Sequence, residues 1–404
     1  MPADPSSPLR TARTPGTNTP RPGSQSALRE RNRQRIIDAL LESGPQTQAE
    51  LSRQTGLSGA TVSNIVRVMN EHRLVVTEPT TSSGRRALSV RLNDSGAVAA
   101  GIDIGRRHVR VVLASLGRRI LQEESVPLPL GHTAAEGMDT AAALLASLLR
   151  RQGVDRSAVL GAGVGIPGPI DRRTGTVVQG AILPEWVGIN MREDLADRLG
   201  VPVFVDNDAN LGALAEVTWG PHGCTENLIF VKVASGIGAG LVINGSLYYG
   251  NVGVTGEIGH ATIFDHGLIC RCGNRGCLET IASTSIMIEL LSRAANRVVT
   301  TTDIISQAAE KDPATLRVIE DAGAAVGRAA ANLANTLNPE LIIIGGSLTG
   351  LGDTFLDPIR RGLLRHTVPL VGETSTVLMS SLGDRAEALG AAALVLQEQG
   401  AAAA

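Results

Sequence analysis

Three of the four cysteines fall within eight residues, Cys270-Arg-Cys272-Gly-Asn-Arg-Gly-Cys277, and His260 lies ten residues upstream of the first. Three thiolates and one imidazole make a complete tetrahedral Cys3His shell for Zn2+. A closed shell keeps no position for water, so this metal is expected to be structural. Gly273 and Gly276 let the backbone turn tightly enough for the sulfurs to converge. Cys224 stands apart and reads as an ordinary half-buried cysteine. The crowding suits a metal better than a disulfide framework, which places the chain in the cytoplasm.

A second group of chemistry-bearing residues lies near the other end. Ser58, Thr61, Ser63, Asn64 and Arg67 are hydroxyls, an amide and a guanidinium spaced to share one helical face. Such groups reach phosphates and base edges in a DNA major groove. Arg85 and Arg86 follow Gly84 at what reads as a flexible hairpin tip over residues 80–86, suited to the DNA backbone or minor groove. Residues 1–92 carry thirteen Arg, no Lys and seven Asp or Glu, a net +6, so the remainder of a chain of net charge −2 carries −8. A basic end on an acidic body is the asymmetry expected where one end meets phosphate.

These groups need elements to hold them. Residues 1–25 are rich in Pro, Ser, Thr and Arg, lack an apolar leader and read as a disordered tail. Ile36, Ile37, Leu40 and Leu41 mark a first amphipathic helix ending near Ser43-Gly44-Pro45. Thr47-Gln-Ala-Glu50 matches a capping box and opens a second. Ser58 caps a third, whose apolar side is Val62, Ile65, Val66 and Met69. Two apolar runs, Leu74–Val76 and Leu88–Leu92, complete a winged helix-turn-helix over residues 26–92.

From residue 97 apolar strands alternate with Ala-rich helical stretches, which predicts an α/β body with a parallel or mixed sheet. An apolar strand, a Gly turn and a returning strand occur near 98–114 and again near 228–243. The repetition predicts two similar lobes, residues 97–220 and 221–383, with a final helix near 384–398 packing back on the first. A cleft between them is the natural ligand site. No apolar run is long enough for a membrane helix.

The motifs Gly165-Ile-Pro-Gly-Pro-Ile-Asp171, Asp206-Asn-Asp-Ala-Asn210, Ser235-Gly-Ile-Gly-Ala-Gly240, Gly256-Glu-Ile-Gly-His260, the cysteine loop through Glu279 and Ile343-Ile-Gly-Gly346 occur in that order. The set resembles the ROK family (repressors, open reading frames, kinases), and the DNA-binding module makes it look like the xylose-repressor type. The resemblance spans about residues 26–400. It implies an actin-like, hexokinase-like ATPase fold and a homodimer or homotetramer.

A sugar hydroxyl both donates and accepts, and carboxylates, amides and imidazoles answer it. Asn207, Asp208, Glu257, His260 and Glu279 are those types, and the resemblance places this set around a sugar. His260 would then serve the metal with one ring nitrogen and the sugar with the other. Family kinases often have Asn before the Leu-Pro segment, where this chain reads Ala181-Ile-Leu-Pro-Glu-Trp186. Trp186 suits either a sugar face or the cleft wall.

In kinases of the family Asp208 would be the general base. The first phosphate loop departs from the usual Asp-Ile-Gly-Gly-Thr-Lys and reads Asp103-Ile-Gly105-Arg106-Arg107-His108. The second, with Gly236 and Gly238, is nearly intact and the Gly345-Gly346 pair is retained, and a role in tight turns is sufficient for them. Two functions follow. One is a sugar-responsive repressor, released from a palindromic double-stranded DNA operator and without need of ATP or Mg2+. The other is an ATP-dependent sugar kinase that also binds DNA. The altered first loop favours the repressor.

Overall fold

The computed structural model describes residues 25–402 apart from 73, 83–84, 94–95, 179–183 and 252. The expected tail, but for Gln25, lies outside the described residues. So do Gly84 of the wing and residues 181–183, where the family asparagine is replaced.

The first module runs α1 (Gln25–Ser43), β1 (Gln46–Thr47), α2 (Gln48–Thr55), α3 (Gly59–Glu71), β2 (Val75–Ser82) and β3 (Arg85–Leu92). The capping box forms: Thr47 accepts from the Glu50 amide while the Glu50 carboxylate accepts from Thr47. Ser58 caps α3 through the Thr61 amide. Val62, Val66 and Met69 are buried against Ile36, Leu40 and Leu51. The strands form a sheet in the order β1-β3-β2. The hairpin is longer than its sequence suggested. Thr81 pairs with Arg86 and Ser82 with Arg85, so most of the expected flexible tip is strand. The threonines at 80 and 81 favour a pleated backbone.

The first lobe contains β4 (Val98–Ile104), β5 (His108–Ser115), β6 (Ile120–Pro127), α4 (Ala134–Gln152), β7 (Val159–Ile166), β8 (Ile170–Asp171), β9 (Thr176–Val177), α5 (Met191–Leu199), β10 (Val203–Asn207) and α6 (Asp208–Thr218). The second contains β11 (Leu228–Val233), β12 (Ile237–Ile243), β13 (Ser246–Leu247), α7 (Glu279–Ala282), α8 (Thr284–Ala295), α9 (Thr301–Ala309), α10 (Pro313–Leu337), β14 (Leu341–Gly345), α11 (Asp353–His366), α12 (Pro369–Thr374) and β15 (Thr376–Met379); α13 (Ala386–Ala402) ends the chain. The sheets run β10-β7-β4-β5-β6 and β13-β12-β11-β14-β15. Numbered within each lobe, both read 3-2-1-4-5, with the first three strands antiparallel and the last two parallel. The two lobes therefore share one topology.

Two helices, α6 and α13, pack against each other, α13 lying on the first sheet and α6 chiefly on β11 and β12 of the second. The approach of α13 is close because β7 offers Gly163: a Cβ there would lie 1.9 Å from the Ala391 carbonyl oxygen. Near its far end Leu396 packs beside the α1 cluster of the first module. Arg118 Nη2 donates to Asp38 Oδ1 at 3.1 Å across the same boundary. Among the described residues no helix is long and apolar enough to cross a membrane.

Candidate functional site

A cleft of about 900 Å³ opens between the lobes. The ends of β4, β10 and β11, the turns after β4 and β11, and the Gly256–Glu279 region line it. Strand ends and hairpin turns converge here because both sheets present the same edge to the gap.

At one wall His260, Cys270, Cys272 and Cys277 offer ligand atoms all within 4.8 Å of one another. Cys272 Sγ lies 3.7 Å from Cys277 Sγ, and Cys270 Sγ 3.6 Å from His260 Nδ1. A tetrahedral ion with bonds of about 2.3 Å to sulfur and about 2.1 Å to nitrogen would set those separations near 3.8 and 3.6 Å. The group therefore fits a metal. Gly276 makes the loop possible: its φ is +65°, and a Cβ would lie 1.6 Å from the Phe264 carbonyl oxygen. Burial, and then Cys272 and Cys270, push the Cys277 thiol up to about 12. A cation is what would let three thiolates coexist here.

Asn207, Asp208, Glu257, His260 and Glu279 all line the cleft. They are not equally free. The Asn207 amide caps α6, accepting from the Ala209 amide at 2.9 Å and donating to the Gly168 carbonyl at 3.0 Å. Glu279 is buried, and its Oε1 accepts from Arg271 Nη2 at 2.6 Å and Nε at 2.9 Å. Asp208 Oδ2 accepts from Lys232 at 2.8 Å. Glu257 remains the open carboxylate, 3.8 Å from His260 Nε2. Burial, then Asp208 and Glu279, push its carboxyl up to about 7. His260 thus turns Nδ1 to the thiols and Nε2 to the cleft.

Among the loop residues Asp103, Gly105, Gly236, Gly238 and Gly346 line the cleft. Gly345 does not line it; it backs onto Phe230, whose ring a Cβ would meet at 2.2 Å. Arg106 and Arg107 occupy the cleft mouth. His108 turns back on its own loop, its Nε2 2.8 Å from Asp103 Oδ2. Burial pushes Asp103 up, yet His108, Lys232 and Arg110 outweigh it and hold the carboxyl low. Desolvation opposes charge on His108, but Asp103 raises the imidazole above its ordinary value. The sign of its contribution follows. It is complete below the unfolded histidine's value of about 6.5 and is lost as pH rises through the higher folded one. The Asp103 contribution is present above its unfolded value of about 4 and fades as the pH falls through the depressed one. The thermal-midpoint advantage of wild type over His108→Gln should therefore peak between those limits and shrink towards pH 8. An advantage that does not vary with pH would contradict the pairing.

Trp186 is not at the cleft. It is 1% exposed in the first-lobe core, edge-on to His132 at 5.6 Å between centroids. The sequence reading missed Lys232, Arg271 and Glu387. Lys232 left a signal: one of only two lysines in the chain, it interrupts the apolar run of β11.

On the first module Ser58, Ser63, Asn64 and Arg67 are exposed along α3, with Thr61 half-buried. Arg67 donates to Glu71 at 2.6 Å and to Asn64 at 3.0 Å. Arg86 is exposed on β3, which Arg85 begins.

Residues 99–398 match the model of the ROK family, and residues 31–86 that of the MarR family. A protein named putative xylose repressor from Caldicellulosiruptor sp. is 30% identical over 391 residues, covering 93% of this chain and 98% of that one. A glucokinase from Halalkalibacterium halodurans is 31% identical over 314 residues, covering 74% and 95%. The crystal structure of a ROK family transcriptional regulator, a homolog of the E. coli MLC protein, superposes with a TM-score of 0.78 at 25% identity, covering 93% and 97%.

Proposed function

The chain belongs to the ROK family, and from that membership we propose that it is a transcriptional repressor released from its operator by a sugar held in the inter-lobe cleft. One observation carries the reading. A polar recognition face and a cleft with an open carboxylate lie in one chain, bridged by α13, which touches both the cleft and α1. Glu257 supplies an acceptor and His260 Nε2 a donor for vicinal hydroxyls, and Asp208 can accept only through the lone pairs that Lys232 and the Ala209 amide leave. Arg271 holds Glu279 in place beside them. The four-ligand wall suits Zn2+, which would orient His260.

Ligand binding shifts an equilibrium between DNA-binding and released states by its differential affinity for them. A symmetric homodimer or homotetramer would present two α3 helices to a palindromic site, about 34 Å apart. Operator affinity measured across a panel of hexoses, pentoses, amino sugars and their phosphates tests the reading. One sugar should weaken it at least tenfold; constant affinity across the panel would defeat it.

Arg67→Ala should weaken operator binding roughly 5- to 150-fold, the range for losing one good base contact. Sugar affinity, measured by calorimetry, should not change. Equal operator binding would remove Arg67 from the interface.

A second reading, an ATP-dependent sugar kinase, is favoured by Asp208 and by the likeness to glucokinase. Two features oppose it. His108 binds Asp103 where the phosphate loop would be open, and both Asp208 oxygens are engaged, by Lys232 and by the Ala209 amide. A coupled assay of ATP consumption over the same panel separates the two functions.

A further inference from the structure

Three carboxylates converge on the cleft floor from distant parts of the chain. Asp103 near the end of β4 is 2% exposed, Glu387 in the first turn of α13 is 3% exposed, and Asp208 opens α6. All three line the cleft. Burying several carboxylates together is costly unless a cation accompanies them, and oxygen-rich clusters of this kind draw divalent ions from solvent. Here the cation is covalently attached. Lys232, from β11 of the opposite lobe, places Nζ 2.8 Å from Asp208 Oδ2 and 3.0 Å from Glu387 Oε1. Asp103 gives Oδ2 to His108 at 2.8 Å, and its buried Oδ1 has no hydrogen-bond partner among the described residues.

We propose that Lys232 is a resident counter-ion, whose ammonium stands where these acids would otherwise recruit a divalent cation. It ties the end of β11 to the first turns of α6 and α13, the two helices that pack against each other. It also fixes Asp208 as a charged acceptor without help from a metal or a nucleotide. The cleft is thereby set to take an uncharged polyol, and magnesium adds nothing to its occupancy. A lysine is suited to this place because its compact point charge can reach two carboxylates at once. The counter-ion role stands on the charge geometry alone; only the uncharged polyol rests on the proposed function.

The test uses the full-length, zinc-loaded protein in buffer freed of other metals, with Mn2+ as the probe. Free Mn2+ is followed by electron paramagnetic resonance and stability by thermal melting. Wild type should bind no Mn2+ at micromolar concentrations, and its midpoint should ignore millimolar Mg2+ or Mn2+. Lys232→Met should lower the midpoint by roughly 5 °C or more. It should also acquire a single Mn2+ site that restores at least half of that loss. The double variant Lys232→Met/Glu387→Gln should melt near wild type without metal and bind Mn2+ weakly or not at all. Three results would each overturn the proposal: Mn2+ binding by wild type that Asp208→Asn abolishes, a Lys232→Met protein as stable as wild type and indifferent to Mn2+, or a double variant as unstable as the single one.

Discussion

Glu257→Gln is expected to leave the protein on its operator at sugar concentrations that release the wild type. Among the described residues Glu257 has no side-chain hydrogen-bond partner, whereas Asp208 and Glu279 each accept from a cation. A hydroxyl donating to a carboxylate makes a charge-assisted bond of about 1.5–3 kcal/mol, so its loss should raise the sugar dissociation constant roughly 10- to 150-fold. The amide keeps the shape of the side chain and half its accepting capacity, so the fold should survive. The experiment is best run near pH 8, because burial and the neighbouring acids raise this carboxyl to about 7. Operator affinity without sugar should match wild type. A release curve that overlays wild type would remove Glu257 from the sensing site.

Stripping the metal should have the other large effect. The purified protein is expected to hold one zinc per chain by elemental analysis. Cys277→Ser, or chelation, should lower sugar affinity about 10- to 100-fold, the cost of losing the support of an oriented ligand. The reason is local. His260 presents Nε2 to the cleft only while Nδ1 is anchored among the thiols, and Glu279 begins α7 two residues after Cys277. Stability should fall as well, since binding energy of a metal to a loop of this kind is folding energy for that loop. A metal-free protein that melts and binds sugar like the loaded one would leave the four residues without a metal function.

The Cys3His cluster was readable because its thiols are local in sequence and the glycines between them have a stated geometric purpose. The capping box at Thr47–Glu50 and the cap at Ser58 were readable for the same reason: each is decided within one turn. What was not readable depended on long-range packing. The edge strand β6, Ile-Leu-Gln-Glu-Glu-Ser-Val-Pro, has no clean alternation because it is only partly covered. Thr80–Ser82 looked like loop by composition, yet pairing with β3 makes them strand. Trp186 could not be assigned from sequence, because only the fold of α4 puts His132 and Gly137 against it. Likewise nothing local says that Arg271 claims Glu279, or that Lys232 and Glu387, 155 positions apart, share an ion pair.

One helix has a larger consequence than its length suggests. The last helix begins with an acid on the floor of the binding cleft and ends against the first helix of the DNA-binding module. On the proposed function a substitution along it would be felt by both activities, so selection could not adjust sensitivity to the inducer and grip on the operator separately there. Divergence of the two properties would then proceed through surfaces that touch only one end, such as the exposed polar face of α3 for promoter choice and the Glu257 side of the cleft for choice of inducer.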